Sequence, residues 1–231
     1  MKFSEIIHEF SHLFFPNCCI ICGAKLLPSE ESVCLKCLYK LPKTNDFKEV
    51  GNGIETLLAG RFPFERAASF CEFSKGGMFQ SIIHHIKYSH GEKLGIAMGR
   101  LFGKDLLGSD FICSIDVIVP VPLHSKKQRE RGYNQSERIA EGFSEVTAIP
   151  ISRNNLVRIV YNPTQTGLGK TQRWENVKNI FKVVNPSEFA HKHILLIDDV
   201  VTTGSTLEAC AIALSKCSNI KISVATLAKV L

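Results

Sequence analysis

The chain has 231 residues, of which 45% are hydrophobic and 22% charged, and its formal net charge is +6. This length can bury a sizeable core, and the composition excludes an intrinsically disordered chain. The sequence contains no internal repeat and no run of about 18 apolar residues, so it predicts an ordered protein without a membrane span. We expect this protein in the cytoplasm.

Residues 1–16, MKFSEIIHEFSHLFFP, place apolar side chains at helical spacing, interrupted by glutamates and histidines. This pattern is typical of an amphipathic helix and not of a signal peptide. Packing against its own protein is the more common role of such a helix, and attachment to a membrane surface or a partner is the alternative.

Cysteine spacing is the strongest signal near the N-terminus. Cys19 and Cys22 form one C-x-x-C pair, and Cys34 and Cys37 form a second. Each such turn can direct two thiolates at one point, so the two turns supply the four sulfurs of a closed tetrahedral Zn²⁺ site. Four protein ligands leave no position for a reacting water, which predicts a structural ion. Cys18 is the alternative to Cys19, with the less usual spacing to Cys22.

Strand and helix patterns alternate after a polar, turn-rich passage at residues 41–53. Predicted strands cover residues 66–74, 116–122, 193–199 and 221–230, and predicted helices cover residues 78–89, 92–107, 134–145 and 205–217. Near-continuous apolar strands separated by helices indicate a mostly parallel sheet flanked by helices. We therefore predict two units: residues 1–50, with the amphipathic helix and a small zinc-ribbon-like module, and residues 51–231, with an α/β domain.

The segment ILLIDDVVTTGST runs from an apolar strand through Asp198 and Asp199 into small polar residues that open a helix. Ligands of parallel α/β sheets bind beyond the carboxyl ends of the strands. Backbone N–H groups at the start of a helix hold phosphate well, and the candidate residues are Thr202, Thr203, Gly204, Ser205 and Thr206. Two carboxylates beside such a loop suit the vicinal hydroxyls of a phosphorylated ribose, bound directly or through Mg²⁺. The alternative is that both aspartates only cap the following turn.

Two segments resemble known families. LLIDDVVTTGST resembles the phosphoribosyl pyrophosphate (PRPP) signature of type I phosphoribosyltransferases, and VPVPLHSKKQRERGYNQSERIA resembles the ComF family of late-competence proteins. Members of that family join a transferase domain to an N-terminal four-cysteine module, so the resemblance implies a type I phosphoribosyltransferase-like fold that binds PRPP with Mg²⁺. It assigns the ribose hydroxyls to the two aspartates and the 5′-phosphate to residues 202–206. Residues of about 162–174 correspond to a mobile hood, and the pyrophosphate-binding loop is Pro120, Val121, Pro122, Leu123 and His124.

Basic side chains border this predicted site. Residues 124–138 contain five lysines and arginines against two glutamates, and residues 151–182 contain six against one. Such charges, with Mg²⁺, would stabilise a departing pyrophosphate. The candidate catalytic residues are therefore Asp198, Asp199, Arg129, Arg131 and Arg173, and His124 is favoured over His84 and His85 as an acid or base. A solvated basic face or a nucleic-acid footprint is the alternative.

Three functions follow. The first is transfer of phosphoribose from PRPP to an unknown acceptor with release of pyrophosphate, through an oxocarbenium-like transition state. The second is a module that senses the same ligand without turnover. The third, implied by the resemblance, is a competence accessory protein in DNA uptake that acts through a helicase partner or single-stranded DNA. Direct DNA binding has thin support, because the basic segments contain few aromatic rings, namely Tyr133, Tyr161 and Trp174, while Phe143 and Phe181 are expected to face the core.

Overall fold

The computed structural model describes residues 17–30, 32–89, 91–161 and 180–230. The predicted N-terminal amphipathic helix, the predicted hood and Arg173 lie outside these residues. The α-helices of the described ranges are α1 (Leu35–Tyr39), α2 (Gly53–Leu58), α3 (Met78–Tyr88), α4 (Glu92–Leu106), α5 (Ser125–Arg131), α6 (Gln135–Thr147) and α7 (Ser205–Leu214). The strands are β1 (Ala67–Phe73), β2 (Val117–Pro120), β3 (Leu156–Arg158), β4 (Phe181–Val183), β5 (His193–Val201) and β6 (Lys221–Val230).

Four strands form a parallel sheet in the order β1-β6-β5-β2. The short strands β3 and β4 form a separate antiparallel pair. β5 lies inside the sheet and its first five residues are buried, which explains why its sequence is apolar without alternation. The prediction of a mostly parallel sheet flanked by helices is confirmed.

Two apolar layers cover the sheet. Leu195 and Ile197 of β5 face a layer that contains residues of α3, α4 and α6, whereas Ile194 and Leu196 face residues of α2, α7 and β4. Neighbouring positions of β5 therefore face opposite layers, as strand geometry requires. None of the helices in the described ranges has the length and apolar character needed to cross a membrane.

Two glycines let α4 and α6 pack unusually close to each other. A Cβ added at Gly99 would lie 2.0 Å from the backbone oxygen of Ile139, and one added at Gly142 would lie 1.9 Å from that of Ile96. Any larger residue would force the two helices apart. This close approach fixes α6, whose first turn reaches the carboxyl edge of the sheet.

The passage at residues 41–53 is ordered by contacts with β1. The backbone N–H of Thr44 donates to Phe70 O at 3.1 Å, and that of Glu72 donates to Pro42 O at 2.9 Å. Asn52 caps α2, where its side chain accepts hydrogen bonds from the backbone of Ile54 and Glu55. The division of the chain at residue 50 stays a prediction from the sequence.

The structure differs from the predicted elements in four places. α2 begins inside the passage that the sequence marks as turn-rich, and α5 has no buried residue, so it shows no apolar period. β3 and β4 have three residues each, too few for a strand pattern. β5 extends to Val201, two residues beyond the predicted end, because it continues to pair with β6 after β2 has stopped.

Candidate functional site

The four predicted metal ligands converge. The Sγ atoms of Cys19, Cys22, Cys34 and Cys37 all lie within 4.8 Å of one another. Two backbone turns produce this arrangement: Gly23 adopts a φ of 71° and donates to Cys19 O at 2.9 Å, and Cys37 donates to Cys34 O at 2.9 Å. The group could therefore hold a metal ion.

Thiol acidity differs within this cysteine group. Burial raises the pKa of Cys19, but hydrogen bonds from the backbone of Cys34, Cys22 and Ile21 outweigh it and lower the pKa to about 6. Burial and the neighbouring cysteine side chains raise the pKa of Cys37 to about 12. A bound cation would favour all four thiolates at once, which is the chemistry of a closed sulfur site. Cys19, and not the exposed Cys18, belongs to the group of four converging cysteines.

The two aspartates lie where β2 ends and β5 continues. Pro120, the last residue of β2, pairs with Ile197, and the backbone N–H of Val121 donates to Ile197 O at 2.8 Å. The next residues of β5 are Asp198 and Asp199, so they adjoin the 120–124 loop. We call the two aspartates, the 120–124 loop and the 202–206 loop the carboxyl-edge site.

Asp199 is buried and paired. Lys87 Nζ of α3 lies 3.0 Å from Asp199 Oδ2, and Gln135 Nε2 of α6 donates to the same oxygen at 3.1 Å. Such partners offset the cost of burying a carboxylate. Both partners come from helices that the sequence predicts, but no sequence pattern indicates that they meet this acid.

Asp198 is partly buried and has different partners. Ser136 Oγ donates to Asp198 Oδ1 at 2.9 Å, and so does the backbone N–H of Asp199. Burial, with the charge of Asp199, raises the pKa of Asp198 to about 7. The half-buried Arg158 of β3 lies near it, and burial lowers the pKa of that guanidinium, an effect that the charge of Asp198 partly offsets. The two aspartates are therefore chemically unlike.

The 202–206 loop connects β5 to α7 through Gly204, whose φ is 77°. A Cβ at this glycine would lie 2.7 Å from Leu58 Cδ2, so both the backbone angle and the close contact require glycine. The remaining residues of the loop are exposed, and Thr203 Oγ1 lies 3.0 Å from Ser205 Oγ. Their hydroxyls and the N-terminus of α7 face solvent beside the aspartates, an arrangement that suits an anion.

Arg61 adds a positive charge next to this loop. Its guanidinium lies 3.2 Å from Glu208 in the first turn of α7 and beside the Cβ direction of Gly204. A role for Arg61 in the site is not visible in the sequence, because this residue precedes β1 by several residues and belongs to no recognised motif.

The 120–124 loop is fixed from behind by α6. Val121 is buried, and its carbonyl accepts a hydrogen bond from Asn134 Nδ2 at 3.1 Å. His124 caps α5, where its Nδ1 accepts a hydrogen bond from the backbone of Lys126 at 3.2 Å. This contact gives the His124 ring a capping role in the structure.

The basic side chains are spread over α5. Arg129 is exposed, and the Arg131 guanidinium lies over the ring of Tyr88, 5.3 Å from its centroid. His85 is partly buried, and burial with the neighbouring His84 lowers its pKa. The structure therefore brings together the two aspartates and both predicted loops. Arg131 instead contacts Tyr88 of α3.

The chain is an α/β protein with an N-terminal four-cysteine group. Its parallel sheet carries paired acids and a Gly-containing loop at the carboxyl edge. Comparison with known proteins is consistent with this architecture. The chain is 30% identical over 218 residues to Competence protein F of Haemophilus influenzae, a match that covers 93% of this chain and 85% of that protein. The chain belongs to the ComF family.

Other curated relatives agree with this assignment. DNA utilization protein YhgH of Escherichia coli is 26% identical over 192 residues, covering 82% of this chain and 80% of that protein. Competence protein ComFC of Bacillus subtilis is 37% identical over 95 residues, covering 41% of this chain and 36% of that protein. No family model matches the chain.

Solved structures with a similar chain trace include phosphoribosyltransferases. Glutamine PRPP amidotransferase from B. subtilis has a TM-score of 0.43 at 15% identity, covering 62% of this chain and 30% of that chain. Purine phosphoribosyltransferase from Pyrococcus horikoshii has a TM-score of 0.38 at 17% identity, covering 62% of this chain and 76% of that chain. These TM-scores are under 0.5, so the similarities carry no argument about function.

Proposed function

We propose that the carboxyl-edge site binds PRPP together with Mg²⁺, and that the protein transfers the phosphoribosyl group to an acceptor with release of pyrophosphate. The observation that carries this proposal is the position of Asp198 and Asp199 between two loops at one edge of the sheet. The two loops follow β2 and β5, which are neighbouring strands, so one ligand can contact both.

Each part of the site binds a different part of the ligand. The aspartates accept hydrogen bonds from the ribose hydroxyls, since carboxylates are strong acceptors for vicinal hydroxyls. The 202–206 loop binds the 5′-phosphate through the N-terminus of α7 and the hydroxyls of Thr203 and Ser205. Arg61 supplies the nearby positive charge. The 120–124 loop binds the pyrophosphate.

In the reaction, the bond between C1 of the ribose and the pyrophosphate oxygen breaks, a bond from C1 to the acceptor forms, and the acceptor gives up a proton. Positive charge develops at C1, and the two aspartates stabilise it from the hydroxyl side of the ring. Bound Mg²⁺ supplies charge neutralisation for the pyrophosphate. Arg129, Arg131 and Arg173 are proposed to contribute to the same neutralisation.

The cysteine group is proposed to bind one Zn²⁺ ion in a structural role. Four sulfur donors within 4.8 Å of one another form a closed donor set, and three of the four residues are buried. The group belongs to the apolar layer that contains Phe70 of β1, so the ion would stabilise the packing of residues 19–41 against the sheet.

Equilibrium dialysis with labelled PRPP and Mg²⁺ tests the binding proposal. The Asp198→Asn/Asp199→Asn double variant is expected to bind at least about 100-fold more weakly than the unaltered chain, because two charged acceptors are lost. Asp110→Asn, which removes an exposed carboxylate elsewhere, is the matched control and should bind normally. Equal binding by the double variant would contradict the assignment of the aspartates.

Pyrophosphate release in the presence of nucleobases, amines and other acceptors tests the transfer reaction. Release above the background rate with at least one acceptor supports the enzyme. PRPP binding without release from any acceptor would instead support a ligand sensor.

A second candidate function is DNA handling, as the names of the relatives indicate, through single-stranded DNA or a helicase partner. One structural observation favours single-stranded DNA. Tyrosine rings flank both ends of the exposed basic helix α5: Lys126 Nζ lies 4.8 Å from the centroid of Tyr161, and Arg131 lies over Tyr88. Tyr133, by contrast, is buried and donates its hydroxyl to Ile86 O. Alternating rings and positive charges are typical of surfaces that stack bases and bind phosphates.

Fluorescence anisotropy with a labelled single-stranded oligonucleotide tests this second function. The Tyr88→Ala/Arg131→Ala variant is expected to bind about tenfold more weakly and with a smaller salt dependence. Lys216→Ala removes an exposed positive charge outside this basic surface and serves as the control. Unchanged affinity in the double variant would exclude α5 as the DNA surface.

A further inference from the structure

Three successive residues at the start of α6 each contact a different part of the carboxyl-edge site. Asn134 donates to Val121 in the 120–124 loop, Gln135 donates to Asp199, and Ser136 donates to Asp198. The N-terminal turn of α6 is thus connected to both aspartates and one loop. Its side chains are buried, which fixes their rotamers in the site.

Gln135 is the member of this turn with an unmet hydrogen-bonding capacity. Gln135 is 5% exposed, and its Oε1 atom is buried without a hydrogen-bond partner among the described residues. Buried side-chain acceptors in native proteins nearly always have a donor. The missing group is therefore a hydrogen-bond donor.

The orientation of the Gln135 amide follows from charge. Lys87 Nζ forms an ion pair with Asp199 Oδ2 at 3.0 Å, and Gln135 Nε2 donates to the same oxygen at 3.1 Å, so the NH₂ group of the amide faces Asp199. The reversed amide would place its oxygen against a carboxylate oxygen. Oε1 is consequently the acceptor on the other side of the amide group that donates to Asp199.

We propose that Gln135 is a specificity-determining residue of the carboxyl-edge site, where its Oε1 accepts a hydrogen bond from a ring hydroxyl of the bound sugar and selects ribose over deoxyribose. This inference rests on the proposed function, because it assumes that a sugar phosphate occupies the site. A sugar hydroxyl suits Oε1 because it donates one hydrogen bond here and still accepts another from a neighbouring donor. A deoxy sugar would leave Oε1 without a partner again.

The expected size of this selection follows from hydrogen-bond energetics. Loss of one hydrogen bond between uncharged groups weakens binding by about tenfold, and loss of one to a charged group weakens it further. Asp198 and Asp199 also recognise hydroxyls, so the contribution of Gln135 is the part of the ribose preference that disappears when Oε1 is removed.

Calorimetric titrations of the full chain with ribose 5-phosphate, 2-deoxyribose 5-phosphate and 3-deoxyribose 5-phosphate test this proposal. For one of the deoxy sugars, Gln135→Met should reduce the preference for ribose by about tenfold, because methionine has a similar shape and no oxygen. Gln135→Glu retains an acceptor at this position, so it should keep the preference even where all three ligands bind more weakly. Gln128→Met, which alters an exposed glutamine, is the control and should behave as the unaltered chain.

The outcomes separate this proposal from the proposed function. If the unaltered chain binds ribose 5-phosphate and Gln135→Met keeps the full preference over both deoxy sugars, Gln135 has no role in selection. An equal loss for all three ligands likewise overturns the proposal, since it indicates a general structural effect. If Gln135→Met does not fold, loss of the preference in Gln135→Glu overturns the proposal. If the unaltered chain binds neither PRPP nor ribose 5-phosphate, the proposed function itself has failed.

Discussion

The cysteine group and the carboxyl-edge site are assembled in different ways. The four cysteines lie between residues 19 and 37, and local turns bring their sulfurs together. In the carboxyl-edge site, Asp199 meets a glutamine that is 64 residues away in the sequence, and Asp198 meets a serine that is 62 residues away. The first site depends on two short turns, whereas the second depends on how two helices pack against β5.

This difference has energetic consequences. A metal ion contributes directly to the folding of a small local module, because the unfolded module has no preformed site. The carboxyl-edge site instead contains buried charges whose cost is offset by partners on other elements. Removal of a ligand group should therefore affect the two regions to different degrees.

The largest effect is expected in the cysteine group. Cys19→Ser/Cys37→Ser should reduce the metal content, measured by mass spectrometry, from about one ion per chain to near zero. The melting temperature should fall by about 10 °C or more, since the metal-binding free energy is lost. Cys113→Ser, which alters an exposed cysteine outside the group, should change neither quantity. An unaltered protein without bound zinc would refute the metal site.

A smaller effect is expected at Lys87. Lys87→Met leaves Asp199 buried beside Gln135 without its cation, and the free energy of unfolding should fall by about 1–3 kcal/mol at neutral pH. This fall lies below the about 3–5 kcal/mol typical of a broken buried ion pair because the lysine side chain is 23% exposed. Chemical denaturation of this variant and of Lys93→Met, a change at an exposed lysine of α4, provides the measurement. Equal stability of the two variants would show that the ion pair contributes nothing.

Gly204→Ala should have an effect of about 2 kcal/mol, composed of backbone strain at positive φ and a clash with Leu58. Gly108→Ala is a close control because Gly108 has a φ of 76° and no atom within 4 Å of its Cβ position. The difference between the two variants in the free energy of unfolding measures the clash alone. A difference of zero would mean that the 202–206 loop shifts freely away from Leu58.

The last expected effect is a pH dependence from Asp198. In the folded chain the pKa of Asp198 is raised to about 7, so the folded state binds this proton more tightly than the unfolded state does. The stabilisation is complete below the ordinary aspartate pKa of about 4 and is lost as the pH rises towards 7. Between these limits the stability of the unaltered chain should fall more steeply with pH than that of Asp198→Asn. Identical pH profiles in denaturant titrations would contradict the raised pKa.

Much of the fold could be predicted from the sequence because its strands are nearly continuous apolar runs. His193–Val201 and Lys221–Val230 are recognisable without knowledge of their neighbours, and so are the amphipathic helices around them. α5 could not be predicted, since none of its residues is buried and the helix has no apolar period. The β3–β4 pair is stabilised by contacts between distant segments that a local pattern does not contain.

The two sites also differ in how much of each can be predicted from the sequence. The cysteine spacing and the Asp198–Asp199 pair are visible in the sequence because their members are close together. The roles of Lys87 and Gln135 were not visible, since both reach Asp199 only through the packing of α3 and α6. The sequence also treated the aspartates as equivalent, whereas their partners and burial make them different. The run of polar residues at the start of α6, Asn134–Ser136, is the signal that could have indicated its contacts with the aspartates.

Calorimetric titration of the full chain with PRPP and Mg²⁺ is the most direct test of PRPP binding at the carboxyl-edge site. We expect saturable binding to one site per chain that is lost when Mg²⁺ is chelated. We also expect that Asp198→Asn/Asp199→Asn abolishes the heat of binding while the protein remains folded. Absence of binding by the unaltered chain at millimolar PRPP would contradict the assignment of the carboxyl-edge site.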